Sequence, residues 1–217
     1  MRGTPLIPCR ACCGGIPRVP PKTAGCPALR VLRLGGCRVD DRAVLALCDK
    51  HLLRELDLSQ SLLTSTGLQR LAALTQLESL VLNHSSQLGG QLSPLQELLE
   101  LKVLSLDNCR VKVRDRPVYL GRRVERARPP PCAPQDDSLG FLTLLHDLES
   151  LCLSDTSITD ELMPMVGQLT HLRSLDVGQT EVTSAGVRHL KGLTGLTSLC
   201  LDCKGVDDSA MPYMRGE

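Results

Sequence analysis

The chain has 217 residues, 42% of them apolar, yet aromatics make up only 1% and Trp is absent, so any core must be aliphatic, built from Leu and Val without aromatic bulk. The net charge of +1 hides an uneven distribution: residues 1–28 carry +4 with no acid, residues 113–135 carry +4 from six Arg against Asp115 and Glu125, and taking both from +1 leaves −7 for the rest. Eleven Cys, an odd number without paired spacing, argue against a disulfide framework and for a reduced compartment; with no apolar segment after Met1 and no run of about 18 apolar residues, the protein is expected to be soluble and cytoplasmic, the nucleus being the alternative.

In chain order, residues 1–27 come first, rich in Pro, Gly, Cys and Arg and without any period. They are expected to be a disordered tail. From Leu29 the pattern Leu-x-x-Leu-x-Leu begins. It recurs from Leu53, Leu77, Leu101, Leu148, Leu172 and Leu196, at intervals of 24, 24, 24, 47, 24 and 24 residues. A fixed period of this size predicts a solenoid, and seven units exceed the roughly three needed for a stable stack.

Within each unit the last two leucines alternate as in a short strand. Three residues later stands a small or polar residue at Cys37, Ser61, Ser85, Cys109, Thr156 and Thr180, with Lys204 in the last unit. This position is expected to turn the chain inward. An apolar residue follows at Val39, Leu63, Val111, Ile158, Val182 and Val206, with Gln87 as the exception. Asp40, Thr64, Thr159, Thr183 and Asp207 are residue types that cap helix N-termini. After them Leu68/Leu71/Leu74, Met163/Val166/Leu169 and Val187/Leu190/Leu193 form narrow helical stripes. Each unit therefore reads strand, turn, helix, and the fold class is α/β: a parallel sheet on the concave side and helices on the convex side.

These units resemble the leucine-rich repeat superfamily. The intracellular form Leu-x-x-Leu-x-Leu-x-x-(Cys/Thr)-x-Val-Thr-Asp-x-Gly-Leu, found in F-box proteins and in related bacterial and algal proteins, is the nearest pattern. The resemblance covers residues 28–217 less one interruption and implies a curved right-handed solenoid of about seven repeats. It also implies a narrower role, the substrate-recognition part of a ubiquitin ligase, although no F-box segment precedes Leu29.

The 47-residue interval contains 23 residues too many. Removing 113–135 joins Cys109-Arg-Val-Lys112 to Asp136-Asp-Ser-Leu139, which matches Cys37-Arg-Val-Asp-Asp-Arg-Ala-Val44 in length and pattern. Val113 is encoded by a codon beginning GT, and CAG is one of the codons for Gln135. The segment is therefore read as a retained intron, with a surface loop and an Arg-rich arm for an acidic partner as the other readings. Glu217 falls where other units place Leu74, Leu98, Leu145, Leu169 and Leu193, so the protein is expected to continue beyond it. Residues 1–27 carry the same expectation of a non-native end.

Candidate chemistry is sparse. Cys9/Cys12 and Cys200/Cys203 have zinc-ligand spacing, but nearly the whole solenoid separates them. Cys152 and Cys200 are expected to face outward two repeats apart, at roughly 10 Å, too far for a disulfide. No His pairs with a Cys or Ser at neighbouring positions, and no phosphate loop or His-Glu-x-x-His is present. No enzyme activity, cofactor or metal is expected.

The third, fifth, seventh and eighth positions of each unit are expected to face outward on the concave side. They include Arg33, Glu55, Asp57, Gln60, Asn83, His84, Asp107, Asn108, Asp155, Asp176, Gln179 and Asp202. Six acids against Arg33 argue against nucleic acid, whose phosphates need Lys and Arg, and favour a basic protein partner. The expected function is a monomeric, non-catalytic protein-binding scaffold. A different class of reading is a structural repeat fragment or mis-spliced product without activity of its own, and a third places a catalytic domain outside this chain.

Overall fold

The computed structural model describes residues 26–88, 92–109 and 139–214. Residues 1–25 of the assigned tail lie outside these, as do the segment 113–135, Cys9, Cys12, Val111 and Glu217.

Seven three-residue strands form one parallel sheet in chain order: β1 (Val31–Arg33), β2 (Glu55–Asp57), β3 (Ser79–Val81), β4 (Val103–Ser105), β5 (Ser150–Cys152), β6 (Ser174–Asp176) and β7 (Ser198–Cys200). Partners across each pair occupy equivalent positions, as in Leu56↔Leu80 and, over the long interval, Leu104↔Leu151. The 47-residue interval thus makes a single step of the solenoid. The carbonyl preceding each strand takes two N–H groups from the next unit; Arg30 O accepts from Arg54 N at 2.8 Å and Glu55 N at 2.9 Å. Past the strand, two more bonds join neighbours, as in Leu34 N to Asp57 O at 2.8 Å and Gly36 N to Ser59 O at 2.9 Å.

The core lies between this sheet and the helical side. The central strand leucines Leu32, Leu56, Leu80, Leu104, Leu151 and Leu175 are at most 1% exposed. The predicted helical stripes are buried as well, and among the described second-half apolar positions Val39, Leu63, Ile158 and Val182 are fully inside. Gln87 is exposed, and the next residue, Leu88, fills its place in the core.

The turn-in residues form a buried row of hydroxyls and thiols that serves backbone and neighbouring side chains. Ser61 and Ser85 hydroxyls meet at 3.0 Å. Thr156 and Thr180 donate to the carbonyls of Leu153 and Val177 at 2.5 and 2.6 Å. The Cys109 thiol donates to Leu82 O at 3.1 Å. In the last unit the expectation of Lys204 is corrected: Lys204 is exposed, and buried Cys203 donates to Val177 O at 2.9 Å. A lysine ammonium has no acceptor-rich pocket there, whereas a thiol is small enough to enter.

Immediately before the turn-in residue the backbone is left-handed in six units, at Gly36, Gln60, His84, Asn108, Asp155 and Gln179, with φ between 49° and 76°. The chain must reverse there while its N–H still reaches the next unit. Gly does this without strain, and Asn, Asp and His tolerate it better than most residues.

The outer side departs from uniform helices. Asp40, Thr64, Thr159, Thr183 and Asp207 each accept a backbone N–H as predicted. Their units contain the α-helices α1 (Asp41–Leu45), α2 (Ser65–Leu71), α3 (Met163–Val166), α4 (Ser184–Val187) and α5 (Met211–Met214). Where Leu92 and Leu139 stand at the cap, no side chain accepts, and only 3-10 turns form at Ser93–Glu97 and Gly140–Leu144. Asp160–Leu162 and Asp208–Ala210 are also 3-10 turns although Thr159 and Asp207 cap them, but there an α-helical turn follows, which the two uncapped units lack.

A second set of bonds ties successive caps together. The Asp41 carboxylate accepts from Thr64 N at 2.9 Å and Thr64 Oγ1 at 2.5 Å in the next unit. Asp160 does the same for Thr183, at 2.8 and 2.6 Å. Gly67 and Gly186 lie directly over these carboxylates, where a Cβ would collide.

Candidate functional site

The outer face of the sheet is built from the predicted outward positions, and the pairing brings them into rows. The fifth-position row runs Arg33, Asp57, Val81, Ser105, Cys152, Asp176, Cys200, each the direct partner of the next. The third-position row runs beside it from Val31 and Glu55 through Val103 to Ser198. Most of these side chains are half-buried, because each leans on its neighbours in the adjoining strands. Gln60, His84, Asn108, Asp155 and Gln179 are exposed on the left-handed turns that border the sheet.

Several of the predicted acids are held by bonds inside the face. Arg33 pairs with Glu55 at 3.4 Å. Asp57 Oδ1 accepts from Ser59 N at 2.9 Å and Ser59 Oγ at 2.6 Å. Asp176 Oδ1 accepts from Gly178 N at 2.9 Å. Asp202 accepts from Gln179 Nε2 at 2.5 Å, and His84 Nε2 lies 3.7 Å from Asp107 Oδ2. Asn83 Oδ1 accepts from Ser105 Oγ at 2.7 Å and Asp107 N at 3.0 Å. These bonds fix the carboxylates in place, and the second oxygen of Asp176 takes the Cys152 thiol at 3.9 Å. The face is thus a pre-arranged pattern of charges more than a set of mobile acids.

Burial pushes the Cys109 thiol up to about 11, and burial also raises Cys152, whose sulfur points at Asp176 Oδ2 across 3.9 Å. Both are poor nucleophiles in that state. Cys200 is exposed while Cys203 is buried, so the two do not converge on one ligand position. Among the described residues no three His, Cys, Asp or Glu gather to hold a metal ion, and no helix is long and apolar enough to cross a membrane.

A further ladder lies at the second position, which the outward-position count passes over. Glu78 accepts from Arg54 and from Lys102, the latter at 2.9 Å, and Arg173 reaches Glu149 at 3.7 Å. Hydrogen bonds from Lys102 and Arg54 hold the Glu78 carboxyl below its ordinary value, and Glu78 in turn raises Lys102. The signal is in the sequence: from Arg54 the second position alternates in sign through Glu78, Lys102, Glu149 and Arg173, provided the 47-residue interval counts as one step.

A family model described as leucine-rich repeat matches residues 25–48 and 168–190. No curated protein matches the chain. Among solved structures, an internalin (inlF) of Listeria monocytogenes superposes with a TM-score of 0.58 at 20% identity, covering 82% of this chain and 49% of its own. Internalin C2 of the same organism gives 0.54 at 16% identity, covering 86% of this chain and 76% of its own. A leucine-rich repeat protein of Leptospira interrogans gives 0.53 at 14%, covering 91% and 55%. The chain spans about half the length of the first of these, and the likeness at such identities is one of fold.

Proposed function

Because the chain is a leucine-rich repeat solenoid, we propose that it is a non-catalytic scaffold that binds a protein partner on the outer face of its sheet. Leucine-rich repeats are general protein-binding scaffolds, and the extended surface of a solenoid suits a partner held by many modest contacts. The observation that carries the reading is the face itself: an open seven-stranded surface bearing Glu55, Asp57, Asp107, Asp155, Asp176 and Asp202 against Arg33. Its acidity favours a basic protein segment over nucleic acid. The pairing of Arg33 with Glu55 lowers the free charge, so affinity comes from complementarity spread along the rows. The ubiquitin-ligase receptor role rests on the repeat pattern alone, and no structural feature favours it over a general scaffold.

The test is capture of partners from cell extract by the wild-type chain and by a variant carrying E55Q, D57N, D107N, D155N, D176N and D202N. Proteins retained by the wild type are expected to be lost from the variant, with circular dichroism of the two alike. Undiminished retention by the variant overturns the reading.

A further inference from the structure

The sheet face has an internal order that singles out one kind of ligand. In the fifth-position row, Asp57 on β2 and Asp176 on β6 are the two carboxylates, and the positions between them carry no charge. Arg33, the direct partner of Asp57, turns its guanidinium to Glu55 instead. Between the two acids lies an apolar spot. Val81 on β3 and Val103 on β4 are half-buried diagonal neighbours, since Val81 pairs with Ser105 and Val103 with Ser79. The polar groups beside them are already engaged: Ser105 Oγ donates to Asn83 Oδ1 at 2.7 Å, and Asp107 N donates to the same oxygen at 3.0 Å. The face therefore reads acid, apolar, acid across the strands, with Val81 on the row of the two acids and Val103 on the row beside it.

Strand spacing turns this order into a ruler. At about 4.8 Å per strand, Asp57 lies about 7 Å from the Val81/Val103 boundary, and that boundary lies about 12 Å from Asp176. An extended chain rises about 3.3 Å per residue, so these distances correspond to about two and about four residues. Both are even numbers, and in an extended chain residues an even number apart share one face. A helix rising 1.5 Å per residue would need about five and about eight residues. Its three side chains would then point in directions roughly 80° to 140° apart, and one helix could not serve all three points.

From this geometry we infer that the sheet face recognises an extended peptide segment of the form basic–x–apolar–x–x–x–basic, laid across the strands from β2 to β6. The first basic side chain meets Asp57, the apolar one covers Val81 and Val103, and the second basic one meets Asp176. The turn bonds to Ser59 and Gly178 hold both carboxylates in position before the ligand arrives, which reduces the ordering cost of binding. The inference rests on the scaffold reading above and specifies its partner.

The experiment uses fluorescence anisotropy at low ionic strength, where surface charge acts most strongly, with three synthetic peptides and the full chain. The first has lysine–x–leucine–x–x–x–lysine spacing with serine and glycine elsewhere. In the second, the last lysine is moved by one residue. The third has serine in place of leucine. The first is expected to bind about threefold tighter than the second, the scale of one exposed ion pair, and about fivefold tighter than the third. D57N and D176N each weaken the first by about threefold; Asn retains an acceptor for the turn bonds, so folding is preserved. V81T weakens the first peptide but not the third. Equal binding of the first and second peptides overturns the inference. So does absence of binding by all three to a chain with wild-type circular dichroism. In either case the capture experiment with the six-fold variant still decides the scaffold reading separately.

Discussion

Cys109 shows at the scale of one side chain how the solenoid uses its interior polar groups. Its thiol is 2% exposed and donates to Leu82 O at 3.1 Å, joining one repeat to the one before it. The same burial that makes this bond possible disfavours the thiolate, and the group titrates near 11 instead of 9.0. Above pH 9 the unfolded chain releases this proton while the folded chain keeps it. Stability is therefore fully present below pH 9 and falls as pH rises from about 9 to about 11, by about 1–3 kcal/mol for this group. Denaturant unfolding between pH 8 and 11 should show that slope in the wild type and a shallower one in C109S, whose hydroxyl does not titrate in the range. Equal slopes would mean that the thiol is not the linked group. The turn-in position itself was legible from the repeat, because a small donor is needed wherever the chain bends inward. The shift from Lys204 to Cys203 was not legible, since Val206 and Asp207 keep their counted places and only the turn closes one residue early, with Cys203 N donating to Leu201 O at 2.6 Å.

At the scale of the element, the capping residues of successive repeats act in pairs. Asp160 is the first residue after its cap, and its carboxylate takes both the N–H and the hydroxyl of Thr183, the cap of the next unit. Gly186 sits three residues into that unit because a Cβ would strike the same carboxylate and Met163. The Thr-x-x-Gly spacing in the repeat is thus explained by its neighbour: the glycine makes room for the preceding unit's aspartate. G186A is expected to destabilise the chain by about 1–3 kcal/mol, the usual cost of forcing an extra carbon into a packed site. In a D160A background the same change should cost clearly less, because part of the obstruction is gone. A double-mutant cycle by thermal or urea unfolding measures the difference, and strict additivity would show that Gly186 and Asp160 are not coupled. The caps were readable from residue type alone. Their coupling was not, because it joins residues 23 positions apart, and only the stacking brings them together. The alternation of sign at the second position was open to counting, but the engagement of Glu78 by both Arg54 and Lys102 exists only across repeats.

For the whole molecule the sheet register is the strongest constraint on what the interrupted repeat means. Val103↔Ser150, Leu104↔Leu151 and Ser105↔Cys152 pair as every other neighbouring pair does, although 47 residues separate them and 24 separate the rest. Backbone bonds continue on both sides of this step, from Glu149 N to Lys102 O at 2.8 Å and from Asn108 N to Ser154 O at 2.9 Å. The described strands, core leucines and backbone bonds on both sides of this step therefore keep the arrangement of the other steps. Removal of residues 113–135 leaves a link from Cys109 to Leu139 of the length that joins Cys37 to Val44. Closing a shorter link costs less chain entropy, by about 1 kcal/mol here. A chain lacking 113–135 is thus expected to keep the mixed helix and strand signal in circular dichroism and to unfold at an equal or higher temperature. It should also retain the peptide spacing preference, since Val103, Ser105 and Cys152 keep their partners on the sheet face. Loss of the strand signal, or a drop in stability well beyond 1 kcal/mol, would assign the segment a structural part in the fold. The seven-repeat architecture was legible because period is a property of the chain alone. The order of charge and apolar surface across the strands was not, because the fifth-position row exists only once the repeats are stacked in register.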